Sequence, residues 1–333
     1  MRPRRLPATV GALVACALVW ITGCGELPDP AEPPDGFDPP AAAAPRPGGT
    51  ATGGAVRPSE ESASARSRKE PRSPAGTSPS DVPPPTGERP SVLYLGDSIG
   101  METQTVLRER IESDGRAKVH SVPYSGITLC DYLTDRPSLF VSPKDKAATL
   151  VRTHRPRVVV LQFWGNSWGY TPCMDKISQG SDRYFTRYTK DAETLTGQIA
   201  SAARSAGIPR PRIVWVLQGP DAFSTDRTRR VNDLYRARAA ASGDLLADAG
   251  RAVSPEGGRY EWRERLPCNA AERARPGFCR DGMAAMHRHG DALHFCMAPT
   301  TSTPRPCPAA SPGIVRYTDV IASVVDRYLR GIR

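Results

Sequence analysis

Residues 91–333 of this 333-residue chain predict an α/β domain, a parallel sheet with helices on both faces. Two observations carry that expectation. Short apolar runs alternate with longer amphipathic stretches, the rhythm of repeated βαβ units. Pro and Gly, which fill 24 of the 66 positions in residues 25–90, become sparse beyond Ser91. The remaining 243 residues suffice for one sizeable core, and a second full domain has no room beside it.

Each element has its own local reason. Ser91-Val92-Leu93-Tyr94-Leu95 is an apolar run stopped by Gly96, a buried strand. Residues 101–113 place Val106, Leu107 and Ile111 at helical spacing among charges, and 118–122 read as a second strand. Residues 147–154 predict a helix, and Val158-Val159-Val160-Leu161, within 157–163, is the clearest buried strand. A long helix follows over 182–206, ended by Gly207 and Pro209. The run 213–217 is a strand, 228–241 a helix, 245–249 a short fifth strand, and 314–329 a closing amphipathic helix. In such sheets ligands bind beyond the carboxyl ends of the strands, so the residues just after each strand are the ones to inspect.

The N-terminus predicts export. Arg2, Arg4 and Arg5 precede an apolar stretch over 8–21 that is too short for a comfortable membrane span. It closes on Ile21-Thr22-Gly23-Cys24, which resembles the lipobox of bacterial lipoproteins. The resemblance implies a signal peptide over 1–24, lipidation of Cys24 and anchoring on the extracytoplasmic side of a bacterial cell membrane. Residues 25–90 have a single aromatic, Phe37, and read as a disordered tether between lipid and domain.

Six cysteines remain in the domain: Cys130, Cys173, Cys268, Cys279, Cys296 and Cys307. An even number in an exported domain implies disulfides. Proximity suggests Cys268–Cys279 and Cys296–Cys307, leaving Cys130 with Cys173. No C-x-x-C pair supports a zinc site. The domain holds the whole net charge of +10, 35 basic against 25 acidic residues, spread without a basic block carrying interleaved aromatics. Nucleic acid is therefore not an expected partner, and Arg227, Arg229 and Arg230 read as a solvated helix face.

The chemistry-bearing residues follow strands. Gly96-Asp97-Ser98 opens a helix whose N-terminus favours developing negative charge, although Ser98 would equally suit an N-cap. Gly126 follows the second strand, where its backbone N–H is available to a ligand. Gly165-Asn166 follows the third, and the Asn amide is an uncharged donor. Near the C-terminus Asp291-Ala292-Leu293-His294 spaces a carboxylate to orient an imidazole. His287 and His289 stand close by, so these two with Asp291 and His294 form a rival metal-ligand set.

In this order the four motifs resemble the SGNH (GDSL) hydrolase family, and the resemblance spans 91–333. It implies a three-layer α/β/α fold with a mostly parallel, flavodoxin-like sheet. Ser98 would be the nucleophile, His294 its base and Asp291 the residue orienting His294. The amides of Ser98 and Gly126 and the side chain of Asn166 would form the oxyanion hole, with no metal or cofactor. The cysteines and the long Arg-rich loop over 250–290 are departures from the family pattern. Gly96-Asp97-Ser98-Ile99-Gly100 also fits the G-x-S-x-G elbow of α/β-hydrolases, but Ser98 follows the first recognisable strand rather than a later one.

The expectation is a lipid-anchored extracytoplasmic serine esterase that removes O-acyl groups, acetyl above all, from a cell-envelope or environmental glycan. Trp164, Trp168 and Tyr170 flank Asn166 and are candidates for stacking on a sugar, with core packing the alternative for Trp164. Two further classes use the same residues: an O-acyltransferase acting through Ser98, and a non-catalytic glycan-binding lipoprotein. Reactivity of Ser98 separates the last from the others.

Overall fold

Strands buried on both faces must be apolar at every position, and three stretches here are. A computed structural model describes residues 89–167, 171–177, 179–298 and 306–331. The proposed signal and lipidation site at Cys24, all but the last two residues of the tether, and Trp168 and Tyr170 lie outside them.

The chain runs β1 (Ser91–Gly96), α1 (Ser98–Glu112), β2 (Lys118–Ser121), α2 (Ala147–His154), β3 (Val158–Gln162), α3 (Asp182–Ser205), β4 (Arg212–Val216), α4 (Thr225–Ser242) and β5 (Leu245–Ala247). There follow α5 (Ala249–Ala252), β6 (Arg265–Pro267), α6 (Ala270–Ala274), β7 (Met283–Ala285) and α7 (Pro312–Gly331). The main sheet is parallel throughout, in the order β2-β1-β3-β4-β5. Alternation along its strands divides the core. Leu93, Leu95, Val159, Leu161, Ile213 and Trp215 pack with α2, α3 and α4 on one face. Val92, Tyr94, Val158, Val160, Val214 and Val216 pack with α1 and α7 on the other. The architecture is three-layered α/β/α, as the alternation of elements predicts.

The differences from the sequence reading are local. Helix α1 starts three residues early because Asp97, not Ser98, is the N-cap: its Oδ1 accepts the Ile99 N–H at 3.1 Å. Residues 250–290 are not a structureless loop. They hold α5, α6 and the antiparallel β6–β7 hairpin, which is too short and too mixed in character to show a strand period. Arg227 does not lie on a solvated face. It is 4% exposed, donates from Nε and Nη2 to Asp221 Oδ2 at 3.0 and 2.6 Å, and its guanidinium stacks over the Trp164 ring at 3.5 Å. Arg229 and Arg230 remain accessible and pair with Asp226 and Asp182.

All three disulfides are the expected ones: Cys268–Cys279 and Cys296–Cys307, paired by proximity, and Cys130–Cys173, the pair left over.

Candidate active site

In a 2-1-3-4-5 parallel sheet the strand order reverses between β1 and β3, and the crevice beyond their carboxyl ends is where ligands bind. Ser98 follows β1, Gly126 follows β2 and Asn166 follows β3, so the three come from adjacent strand ends. This placement also removes the nucleophile-elbow alternative, since Ser98 leaves the first strand of the sheet rather than a late one.

The turn after β1 is fixed by close backbone approach. A side chain at Gly96 would stand 2.8 Å from the Gln162 carbonyl of β3. Asp97 is fully buried and ties the two turns together: its N–H donates to the Gln162 carbonyl, and its Oδ2 accepts the Trp164 N–H at 2.6 Å. Burial pushes its carboxyl up to about 6, against the pull of the two backbone donors. Ser98 is thereby placed at the first turn of α1, half-buried, at the positive end of a 15-residue helix.

The turn after β3 is held from α3 and α4. Tyr184 donates its hydroxyl to the Gly165 carbonyl, and Tyr235 donates to the Phe163 carbonyl at 2.9 Å. Gly165 has φ +79°, a conformation that favours glycine, and a Cβ there would lie 2.5 Å from Val231 Cγ2. Asn166 is 4% exposed beside it. Gly126 is buried, with φ +73°. On the near side Tyr132 reaches the carbonyls of Gly96 and Val122, linking the ends of β1 and β2.

The C-terminal loop completes the site. His294 Nδ1 lies 3.0 Å from Asp291 Oδ2, and its Nε2 lies 3.0 Å from Ser98 Oγ, a residue 196 positions earlier. With Nδ1–H donating to the carboxylate, Nε2 is the acceptor for the serine hydroxyl. Asp291 also accepts the backbone N–H of Leu293 and of His294, each at 2.9 Å, and Arg288 Nη2 at 2.6 Å. Burial would raise its carboxyl, but His294 and the backbone donors hold it well below the usual carboxylate range. Burial would lower His294, and there the Asp291 hydrogen bond and the charges of Glu102 and Asp291 prevail, raising it to about 9.

The rival ligand set does not gather. Among the described residues, His287, His289, Asp291 and His294 bring no three ligand atoms within 4.8 Å of one another. His287 is buried between the Trp262 and Phe295 rings with Nδ1 toward the Leu293 carbonyl, and His289 is exposed beside Glu264. The cluster Cys130, Asp131 and Cys173 does gather, but its two sulfurs are joined in a disulfide and provide no thiolate. Trp164 is 6% exposed under Arg227 and so forms a wall of the site rather than an open stacking face. Sequence reading named Asp97 only as part of its motif and missed Glu102 and the three tyrosines, because their partners lie on distant segments. It also missed Arg288, although its partner Asp291 is only three residues away.

No family model and no curated protein sequence matches this chain. Among solved structures, TesA is 14% identical, with 71% of this chain and 98% of that one covered at a TM-score of 0.40. A GDSL-like lipase from Bacteroides thetaiotaomicron is 12% identical, covering 72% and 88% at 0.37. The C-terminal catalytic domain of peptidoglycan O-acetyltransferase A from Streptococcus pneumoniae is 13% identical, covering 72% and 95% at 0.35. Similarity at this level assigns no activity.

Proposed function

We propose that the chain is a serine esterase of the SGNH (GDSL) type, anchored by lipid at Cys24 outside the cytoplasm and removing small O-acyl groups from a glycan. The observation that carries the enzymatic part is the continuous hydrogen-bonded chain Ser98–His294–Asp291 at the switch point of the sheet. Ser98 Oγ attacks the ester carbonyl as its proton passes to His294 Nε2. The tetrahedral oxyanion is met by the amides of Ser98 and Gly126 and by Asn166. Collapse expels the alcohol, which takes the proton from His294, and leaves an acyl-enzyme. Water then gives its proton to His294 and attacks the acyl carbon. The acid departs and Ser98 is restored.

The choice of a small acyl group, acetyl above all, rests on the expected location and on the family resemblance. The glycan and the anchor rest on the sequence, namely the export signal and the tether. Among the described residues no helix is long and apolar enough to cross a membrane.

The test is hydrolysis of aryl esters of graded chain length, together with fluorophosphonate labelling. Ser98→Ala should abolish labelling and lower turnover by several orders of magnitude, and His294→Ala should do similar damage. Asp291→Ala should fall between these and Asn166→Ala, which should cost roughly 10²–10³ in kcat. Acetyl should be the best acyl group. Because only the neutral imidazole accepts a proton, turnover should climb with pH to a midpoint above about 6.5, the ordinary histidine value. Wild-type turnover from Ser98→Ala would refute the mechanism.

A further inference from the structure

We infer that Glu102 is a positioning residue for His294, its buried carboxylate gripping the backbone just beyond the imidazole and its negative charge favouring the imidazolium. The inference rests on the serine-esterase reading and extends it. Glu102 lies one turn after Ser98 on α1, so the nucleophile and this carboxylate share a helix face. It is 6% exposed, and among the described residues no Lys or Arg forms an ion pair with it. Its oxygens instead accept two backbone donors from the C-terminal loop: Phe295 N–H on Oε1 at 2.8 Å and Cys296 N–H on Oε2 at 2.9 Å. Those are the two residues after His294. Ser98 and His294 are thus joined twice, once through their own hydrogen bond and once through Glu102 one helical turn away.

A purely packing role would be better served by Leu or Met, because burying a carboxylate without a cation is costly. The charge that offsets this cost is His294 itself. Burial pushes Glu102 up to about 7, while His294 and the two backbone donors pull it back. Reciprocally, after burial and the Asp291 hydrogen bond, the charge of Glu102 is the largest influence on His294. The other groups facing this pair are Asp291 and Arg288 on the histidine's own loop, Asp97 on the turn before α1, and His287 beside β7. Tyr94 of β1 also faces it, its hydroxyl hydrogen-bonded to Thr103. Burial and, more weakly, Arg288 oppose the imidazolium, while the carboxylates of Asp291 and Glu102 both favour it. In each turnover the imidazolium forms twice, and Glu102 stabilises it both times without touching substrate.

The experiment is an NMR titration of the His294 ring and of the Glu102 carboxyl carbon in the full chain, which needs no activity. In wild type the two signals should move together through the same pH steps. In Glu102→Gln the His294 midpoint should fall by about one pH unit, a tenfold weaker hold on the proton. Glu102→Asp, which keeps the charge, should restore most of it. The acid limb of kcat/KM should move down with the ring, with kcat lowered about tenfold and KM little changed. A folded Glu102→Gln chain whose His294 midpoint stays at the wild-type value would overturn the inference. Should that variant not fold, the wild-type titration decides: a Glu102 carboxyl that titrates near 4, with no inflection at the His294 midpoint, overturns it equally. Failure of fluorophosphonate to label wild-type Ser98 would instead remove the esterase reading, a result the titration does not depend on.

Discussion

His287 and His294 are seven positions apart and titrate in opposite directions because one faces apolar rings and the other faces carboxylates. His287 is 2% exposed, and burial pushes its imidazole down to about 4. Its unfolded value is about 6.5, so neutral His287 contributes its full stability above that pH. The contribution is lost as pH falls toward 4, up to about 3 kcal/mol, because the buried ring must charge or the fold must open. Urea unfolding at pH 7.5 and 4.5 checks this. The stability of His287→Phe relative to wild type should improve on acidification by roughly that amount. An unchanged difference at the two pH values would show that the ring does not titrate as its burial requires.

At the scale of elements, two of the three disulfides staple the loops that carry the site. Cys130–Cys173 joins the loop after β2, which holds Gly126, to the loop after β3, which holds Asn166. Cys296–Cys307 closes the loop just beyond His294. The first closes a 43-residue separation, for which unfolded-chain entropy alone predicts about 4 kcal/mol. Replacing Cys130 and Cys173 together by Ala should lower unfolding stability by about that amount. It should also reduce kcat more than Ser98 labelling at saturating probe, since in the proposed mechanism Gly126 and Asn166 would be displaced while Ser98 and His294 remain joined. Loss of stability with undiminished kcat in the surviving folded fraction would show that β3 and the tyrosines of α3 and α4 suffice to hold Asn166. Helix α5 adds a tight crossing of its own: a Cβ on Gly250 would stand 2.0 Å from the Gln218 carbonyl, so only glycine lets α5 approach the end of β4.

For the whole molecule, the decisive fact is the strand order β2-β1-β3-β4-β5. It puts the exits of β2, β1 and β3 side by side and lets the C-terminal loop, returning before α7, drop His294 onto Ser98. In the proposed function, the segment preceding the domain bears on where the protein works rather than on how. If Cys24 carries lipid, the native protein should need detergent for extraction, and Cys24→Ala should appear in the soluble fraction with unchanged esterase activity. A wild-type protein cleaved upstream of Cys24 and free of lipid would refute the anchor.

Much of this was legible in the chain itself. The main strands follow from short continuous apolar runs and the main helices from period-3.6 patterns, both local. Two disulfide pairs follow from sequence proximity, and the third is the pair then left over. Ser98, Asp291 and His294 sit in short motifs whose spacing is set by one turn of backbone. What lay beyond reach depends on which segments the sheet order brings together. Arg227 reads as a surface cation until Asp221 and Trp164 close over it. Glu102 reads as one more acid on an amphipathic helix until the loop at 295 and 296 lands on it. Local pattern determines whether a residue faces inward. Only the tertiary structure decides what meets it there, because burial makes the identity of a charge's partner outweigh its own intrinsic preference for water.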